Sequence, residues 1–184
     1  MTIKDYNLKN NLLGAVYGST ANYALERDFF VNHLHCNPEQ ACFNAGVLLF
    51  NLKQWRESCI EAQLMNLGDK YHDKLLSADQ TLLNAFCMGE FLHLPPNFNN
   101  EWCAGKDMPR NARSSIIHFV GSPKPWDFFG RFVHKGYDLW SSYNTDFWNK
   151  EYGRLSKDKL RRTWNIRRSI IKHIKNTLAN RYAN

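Results

Sequence analysis

A run of β-branched and aromatic residues, Ile116-Ile117-His118-Phe119-Val120, stops at Gly121 and leads into Ser122-Pro123-Lys124-Pro125-Trp126. This pattern reads as a short buried strand closed by a tight turn. It sets His118 at the mouth of a sheet, on the face shared by Ile116 and Val120. Gly121 lets the backbone approach a ligand closely, and the two prolines restrict the segment that carries Lys124. An imidazole able to bind a metal, a bare N–H and a held ammonium suit a metal-bound diphosphate. A satisfied core histidine followed by a proline-rich surface loop accounts for the same residues, and the local sequence leaves both readings open.

The rest of the chain shows strand and helix patterns in turn. Leu12–Tyr17 reads as a buried strand and Tyr23–His35 as a helix. Phe43-Asn44-Ala45-Gly46-Val47-Leu48-Leu49-Phe50-Asn51-Leu52 reads as a second strand whose first turn is small and polar. Ala45 and Gly46 leave room beside it, either for a ligand near the amide of Asn44 or for close packing against a helix. Trp55, Cys59, Ile60, Leu64 and Leu67 recur at helical intervals and predict a helix over 53–67 that ends at Gly68. Ser77-Ala78-Asp79-Gln80 has the spacing of a capping box opening the next helix. Asp79 there either complements the helix dipole or grips the hydroxyls of a polyol. Phe91–Leu94 is a short strand stopped by prolines, 97–102 a polar and aromatic loop, and 105–113 an exposed connection.

Charge divides the chain unevenly. From Arg154 onward there are ten Lys/Arg against one Asp, whereas the first 153 residues hold fourteen against sixteen acids. Residues 1–153 therefore read as a slightly acidic body and 154–184 as a basic amphipathic helical tail. In one helix Leu160, Trp164, Ile171, Ile174 and Leu178 fall on one stripe, flanked by Arg161, Arg168, Lys172 and Lys175. Such a helix suits an anionic membrane surface through 156–180, or docks on the body with a solvated edge. Nucleic acid is not expected as a partner, since no recognised module accompanies the charge. Five cysteines without a C-x-x-C pair point to a reducing, cytoplasmic setting. His33, His35, Cys36 and Cys42 are possible zinc ligands, but their spacing fits no common structural site.

The ordered set Phe43–Leu52, Trp55-Arg56-Glu57, Ala78-Asp79-Gln80 with Leu83-Asn84, Leu94-Pro95 with Phe98-Asn99, and Ile117-His118-Phe119 with Gly121 and Lys124-Pro125-Trp126 resembles glycosyltransferase family 8. The similarity spans about residues 12–126, and is greatest to bacterial members that build lipopolysaccharide or other surface glycans. It implies an α/β fold, the C-terminal part of a GT-A (nucleotide-diphospho-sugar transferase) fold, with the N-terminal nucleotide-binding half absent. It also implies transfer of a hexose from a UDP-sugar, with retention, to a surface glycan or lipid-linked acceptor. By the family pattern His118 is a ligand of manganese (or magnesium), and Gly121 and Lys124 bind the diphosphate. Asn44, Ala45 and Gly46 line the donor-sugar site, Asp79 holds donor hydroxyls, and Gln80 lies near the reacting carbon. The basic tail resembles membrane-attaching ends, which implies a peripheral place at the inner face of the cytoplasmic membrane. The family's Asp-x-Asp motif does not occur in these residues. A truncated, split or shortened enzyme is therefore one expectation, and a non-catalytic remnant that binds a membrane or partner through its basic helix is the other.

Overall fold

The computed structural model describes residues 5–182. The chain parts into two compact units that divide in sequence between Asn99 and Asn100.

In the first unit β1 (Leu13–Thr20) runs antiparallel to β2 (Ala41–Phe50) and parallel to β3 (Leu92–Leu94), giving the order β2-β1-β3. Helices α1 (Leu52–Glu57), α2 (Ile60–Tyr71) and α3 (Asp79–Cys87) lie between β2 and β3 in sequence. Leu13, Ala15 and Phe43 of the sheet are buried in one core with Ile60, Leu64 and Leu83. Burying such side chains contributes roughly 1.5–3 kcal/mol each. The helix expected over 53–67 is two helices, broken at Cys59 in the left-handed conformation (φ 49°), and Gly68 lies inside α2. Restarting the helix turns Ile60 and Leu64 inward, while Trp55 packs edge-on against Phe50 at 5.2 Å. The helix expected over 23–35 is a 3-10 turn at Ala21–Tyr23 and a π-helical turn at Phe29–His33. Both Phe29 and Phe30 are buried in that segment, although they are adjacent in sequence.

The capping box does not form. Ala78, at φ 46° and ψ −112°, is the cap residue and makes no side-chain cap. The Ser77 N–H instead donates to Thr81 Oγ1 at 3.0 Å, and that hydroxyl donates to the buried carboxylate of Glu26 at 2.8 Å. Cys36 and Cys42 are buried thiols, and no group of three or more metal-binding side chains occurs among the described residues.

In the second unit β4 (Asn100–Cys103) pairs in parallel with β5 (Ile117–Val120), aligning Glu101 with His118. The expected loop at 97–102 is thus a 3-10 turn (Pro96–Phe98) followed by a strand. With a single neighbour, β5 is half-buried, and Ile116 before it is exposed. Trp102, 1% exposed, lies 5.8 Å from the rings of both Phe119 and His134. Short helices α4 (Gly130–Val133), α5 (Tyr137–Ser142) and α6 (Asp146–Tyr152) lead to α7 (Lys157–Asn165) and α8 (Arg167–Tyr182). The single tail helix is therefore two, and one stripe cannot run through both. Ile170 is buried, while Leu160, Trp164, Ile171 and Leu178 are exposed. Arg167 donates to the Trp164 carbonyl at 2.8 Å and lies 4.3 Å from the indole ring. No helix of the described residues is long and apolar enough to cross a membrane.

Candidate functional site

The expected site residues lie in both units, and each group has its own construction. In the first unit the pairing of β1 with β2 slips between Ala15, which faces Leu48, and Tyr17, which faces Phe43. The segment 44–47 bulges out of the ladder, so its backbone groups need other partners. Asn44, Ala45 and Gly46 are the bulge. Ala45 N–H donates to Gln80 Oε1 at 3.0 Å, and Gly46 N–H donates to Asn44 Oδ1 at 2.8 Å. Asn99 Nδ2 donates to the same Asn44 oxygen at 3.1 Å. Buried Asn84 completes the splint: it accepts from Phe43 N–H at 2.8 Å and donates to the Phe43 carbonyl at 2.9 Å and to that of Gln80 at 2.9 Å. Gly18 permits this, since a Cβ there would come within 3.2 Å of Asn44 N.

The structure thus brings Asn44, Ala45, Gly46 and Gln80 into one hydrogen-bonded group. Asp79 follows the strained Ala78 and is exposed, with no hydrogen bond or ion pair among the described residues. A bulge that opens a strand end, an amide pinned beside it and an accessible carboxylate can together hold a polyhydroxylated ligand.

In the second unit β5 ends at Gly121, whose φ of 69° is a left-handed conformation and whose missing Cβ would face open space. The loop then folds on itself. Asp127 N–H donates to the Lys124 carbonyl at 3.1 Å, and Gly130 N–H to the Asp127 carbonyl at 2.8 Å. Gly130 is required here, because a Cβ would fall 2.1 Å from the Pro125 carbonyl oxygen. The Lys124 ammonium donates to the Phe119 carbonyl and lies 5.9 Å from the Trp126 ring, which leaves further N–H donors for a ligand. Burial and the nearby Arg162 lower the Lys124 pKa, and burial and then Lys124 lower that of His118.

Asp127 and Arg162, which the sequence did not single out, brace this loop. Asp127, whose side chain is 3% exposed, accepts Lys124 N–H at 2.7 Å and both arms of the Arg162 guanidinium, one at 3.0 Å. Ser169 on α8 adds a hydrogen bond of 2.6 Å to the Ser122 carbonyl. Asp127 three residues after Lys124 was a local turn signal. Arg162 and Ser169, more than thirty residues away, gave none.

The implied metal does not fit on these residues alone. His118 is one donor beside a lysine, and no cluster of three ligands exists among the described residues. A hard divalent ion needs several oxygen ligands.

The model of glycosyl transferase family 8 matches residues 2–130, a span that holds both groups of site residues. This chain belongs to family 8. Among curated relatives it is 30% identical over 111 residues to the probable glycosyl transferase Gly of Streptococcus gordonii, covering 58% of this chain and 16% of that protein. It is 23% identical to the lipopolysaccharide 1,3-galactosyltransferase of Salmonella typhimurium, covering 56% of this chain and 33% of that one. Solved structures agree in fold: glycosyltransferase GlyE of Streptococcus pneumoniae (TM-score 0.57, 22% identity, 79% of this chain and 36% of that one) and galactosyltransferase LgtC (0.56, 21%, 84% and 56%). The family 8 chain is α/β and matches part of the GT-A glycosyltransferase fold. It spans about a sixth to a third of the two curated relatives.

Proposed function

We propose that this chain is the acceptor-side portion of a family 8 glycosyltransferase that moves a hexose from a UDP-sugar, with retention, onto a bacterial surface glycan or its lipid-linked precursor. The loop from Gly121 to Lys124 carries this reading. As the bond from the sugar to the diphosphate breaks, negative charge grows on the departing phosphate. A positively charged ammonium held on a fixed loop stabilises that charge more than it stabilises the bound donor, which is the condition for catalysis. Gly121 allows the phosphate to approach the backbone. Asp127 and Arg162 hold the loop, so less reorganisation is needed when charge develops. In the other unit the bulge at Asn44-Ala45-Gly46 receives the donor sugar and Asp79 accepts from its hydroxyls. Gln80, an amide and a poor nucleophile, positions the reacting carbon. His118 is proposed as one ligand of a divalent ion, manganese or magnesium. A cavity of about 470 Å³ lined by Trp126, Trp140, Tyr143 and Trp148 with Asn144 and Asn149 suits an acceptor sugar, whose faces stack on rings while its hydroxyls meet amides.

The test is calorimetric titration of UDP with manganese present. The chain should bind UDP saturably, and Lys124→Ala should weaken binding by about tenfold or more, the loss of one charge-assisted contact. Identical isotherms for the two proteins would remove Lys124 from the site.

The exposed apolar side chains of α7 and α8 favour a peripheral place at the inner face of the cytoplasmic membrane. Leu160, Trp164, Ile171 and Leu178 are each about half exposed or more, among Arg161, Arg168 and Lys172. Each basic residue close to anionic lipid contributes about 1 kcal/mol. They equally favour the second reading, a non-catalytic remnant that binds a membrane or partner through this surface. Trp164→Glu with Leu178→Glu should abolish salt-sensitive sedimentation with phosphatidylglycerol vesicles. Undiminished sedimentation would rule out this surface as the anchor, and saturable UDP binding argues against the remnant.

A further inference from the structure

A second cationic region lies in the 100–182 unit, and none of its lining residues belongs to the Gly121–Lys124 loop. A cavity of about 620 Å³ opens between the turn after β4, helix α4 with the residues that follow it, and α8. Lys106, Arg131, Lys135 and Lys172 line it with His134 and His173, and no carboxylate does.

Its walls are built, not incidental. The turn Cys103–Lys106 is closed by a backbone hydrogen bond of 3.2 Å and pinned by the Trp102 indole N–H, which donates to the Lys106 carbonyl at 3.0 Å. Gly105 sits in that turn at φ 75°, and a Cβ there would come within 3.0 Å of His173 Nδ1, so the imidazole rests directly on the turn. Helix α4 packs on α8, with Val133 and Ile170 buried.

One further observation points to a ligand. Lys106 and Lys172 have no carboxylate partner among the described residues, whereas Lys135 pairs with Asp107 at 2.6 Å. His134, 2% exposed, accepts Gly136 N–H at Nδ1, which makes Nε2 the donor nitrogen of the neutral ring. That Nε2 is buried beside the Trp102 carbonyl, which raises the His134 pKa against the larger effect of burial.

We propose that this cavity is an anion subsite that takes a phosphate or pyrophosphate group, separate from the Gly121–Lys124 loop. Arg131 supplies planar paired donors and Lys106 and Lys172 compact charges, the combination that recognises phosphate oxygens. The volume exceeds what a bare phosphate fills, so the group arrives attached to a larger molecule. A phosphorylated or lipid-linked glycan and a soluble phosphate ester share this chemistry.

Titration of the chain with inorganic pyrophosphate tests the assignment. Saturable binding is expected, weakened about tenfold or more in Arg131→Gln with Lys172→Gln. In a Lys124→Ala background, which removes the loop's own diphosphate contact, the cavity pair should still weaken binding about tenfold, whereas Lys157→Gln with Arg161→Gln, which removes the same charge from α7 outside the cavity, should change it within about twofold. Should the cavity pair fail to fold by circular dichroism, Lys106→Gln on the exposed turn should weaken binding about threefold. Three results overturn the proposal: no saturable binding, equal weakening by the α7 pair, or loss through Lys124→Ala with the cavity variants unaffected. Competition from phosphatidic acid vesicles would extend the site to lipid headgroups, and undisturbed pyrophosphate binding in their presence would restrict it to soluble phosphates.

Discussion

Gln80 shows how one side chain can serve structure and chemistry together. Its Oε1 accepts the Ala45 N–H, which the bulge has removed from the β1–β2 ladder, so the amide both completes the strand end and is fixed beside it. Gln80→Leu should cost about 1–2 kcal/mol in urea unfolding, because it leaves a part-buried N–H unpaired. Gln80→Glu keeps an acceptor there and should cost less. Equal losses for the two would mean the hydrogen bond is not what holds the bulge. The candidates Asn44, Ala45, Gly46, Asp79, Gln80, His118, Gly121 and Lys124 were all legible as residues, because amides, carboxylates, imidazoles and glycines at strand ends are recognisable by type. Their partners were less so. That Asn84 clasps Phe43, or that Thr81 Oγ1 accepts the Ser77 N–H, depends on which side chains the fold brings together.

Among the elements, strands were easier to read than helices. β1, β2, β3 and β5 were each expected within a few residues, since apolar runs bounded by Gly, Pro or Asn have few alternatives. β4 was missed because Asn100-Glu101-Trp102-Cys103 carries a single buried apolar side chain, Trp102, and reads as loop. Helical breaks at Cys59 and Ile166 were missed because neither is glycine or proline. The break at Ile166 matters for the site, for it lets α7 present Arg162 to Asp127 and α8 present Ser169 to Ser122. Arg162→Met would strand a carboxylate that is 3% exposed with the Lys124 N–H as its remaining partner. The guanidinium is itself 44% exposed and already screened by water, so the expected loss is about 1–2 kcal/mol. Amide hydrogen exchange at Lys124 should quicken more than at Leu13 in the other unit. Unchanged exchange at Lys124 would mean that the pair does not hold the loop.

For the chain as a whole, burial is the first cause that lowers the pKa of His118, His134 and His173 below the ordinary 6.5. The native state therefore binds fewer protons than the unfolded chain as the pH falls past about 6.5. Stability is full above that value and is lost as the pH drops through it toward the lowered native values. The urea midpoint should fall between about pH 7 and pH 5, and His118→Gln should flatten that slope. A slope identical in the variant would take His118 out of the account. The division between Asn99 and Asn100 was not visible in a chain whose most obvious compositional change is the charge shift near Arg154, because compactness follows from contacts and not from charge.

The diphosphate cradle can be mapped amide by amide in solution by titrating UDP into isotopically labelled protein. The account predicts that the largest chemical-shift changes in the 100–182 unit fall on Gly121, Ser122 and Lys124 and vanish in Lys124→Ala. Shifts confined to Gly105, Lys106 and the α8 amides, or none at saturating UDP, would contradict it.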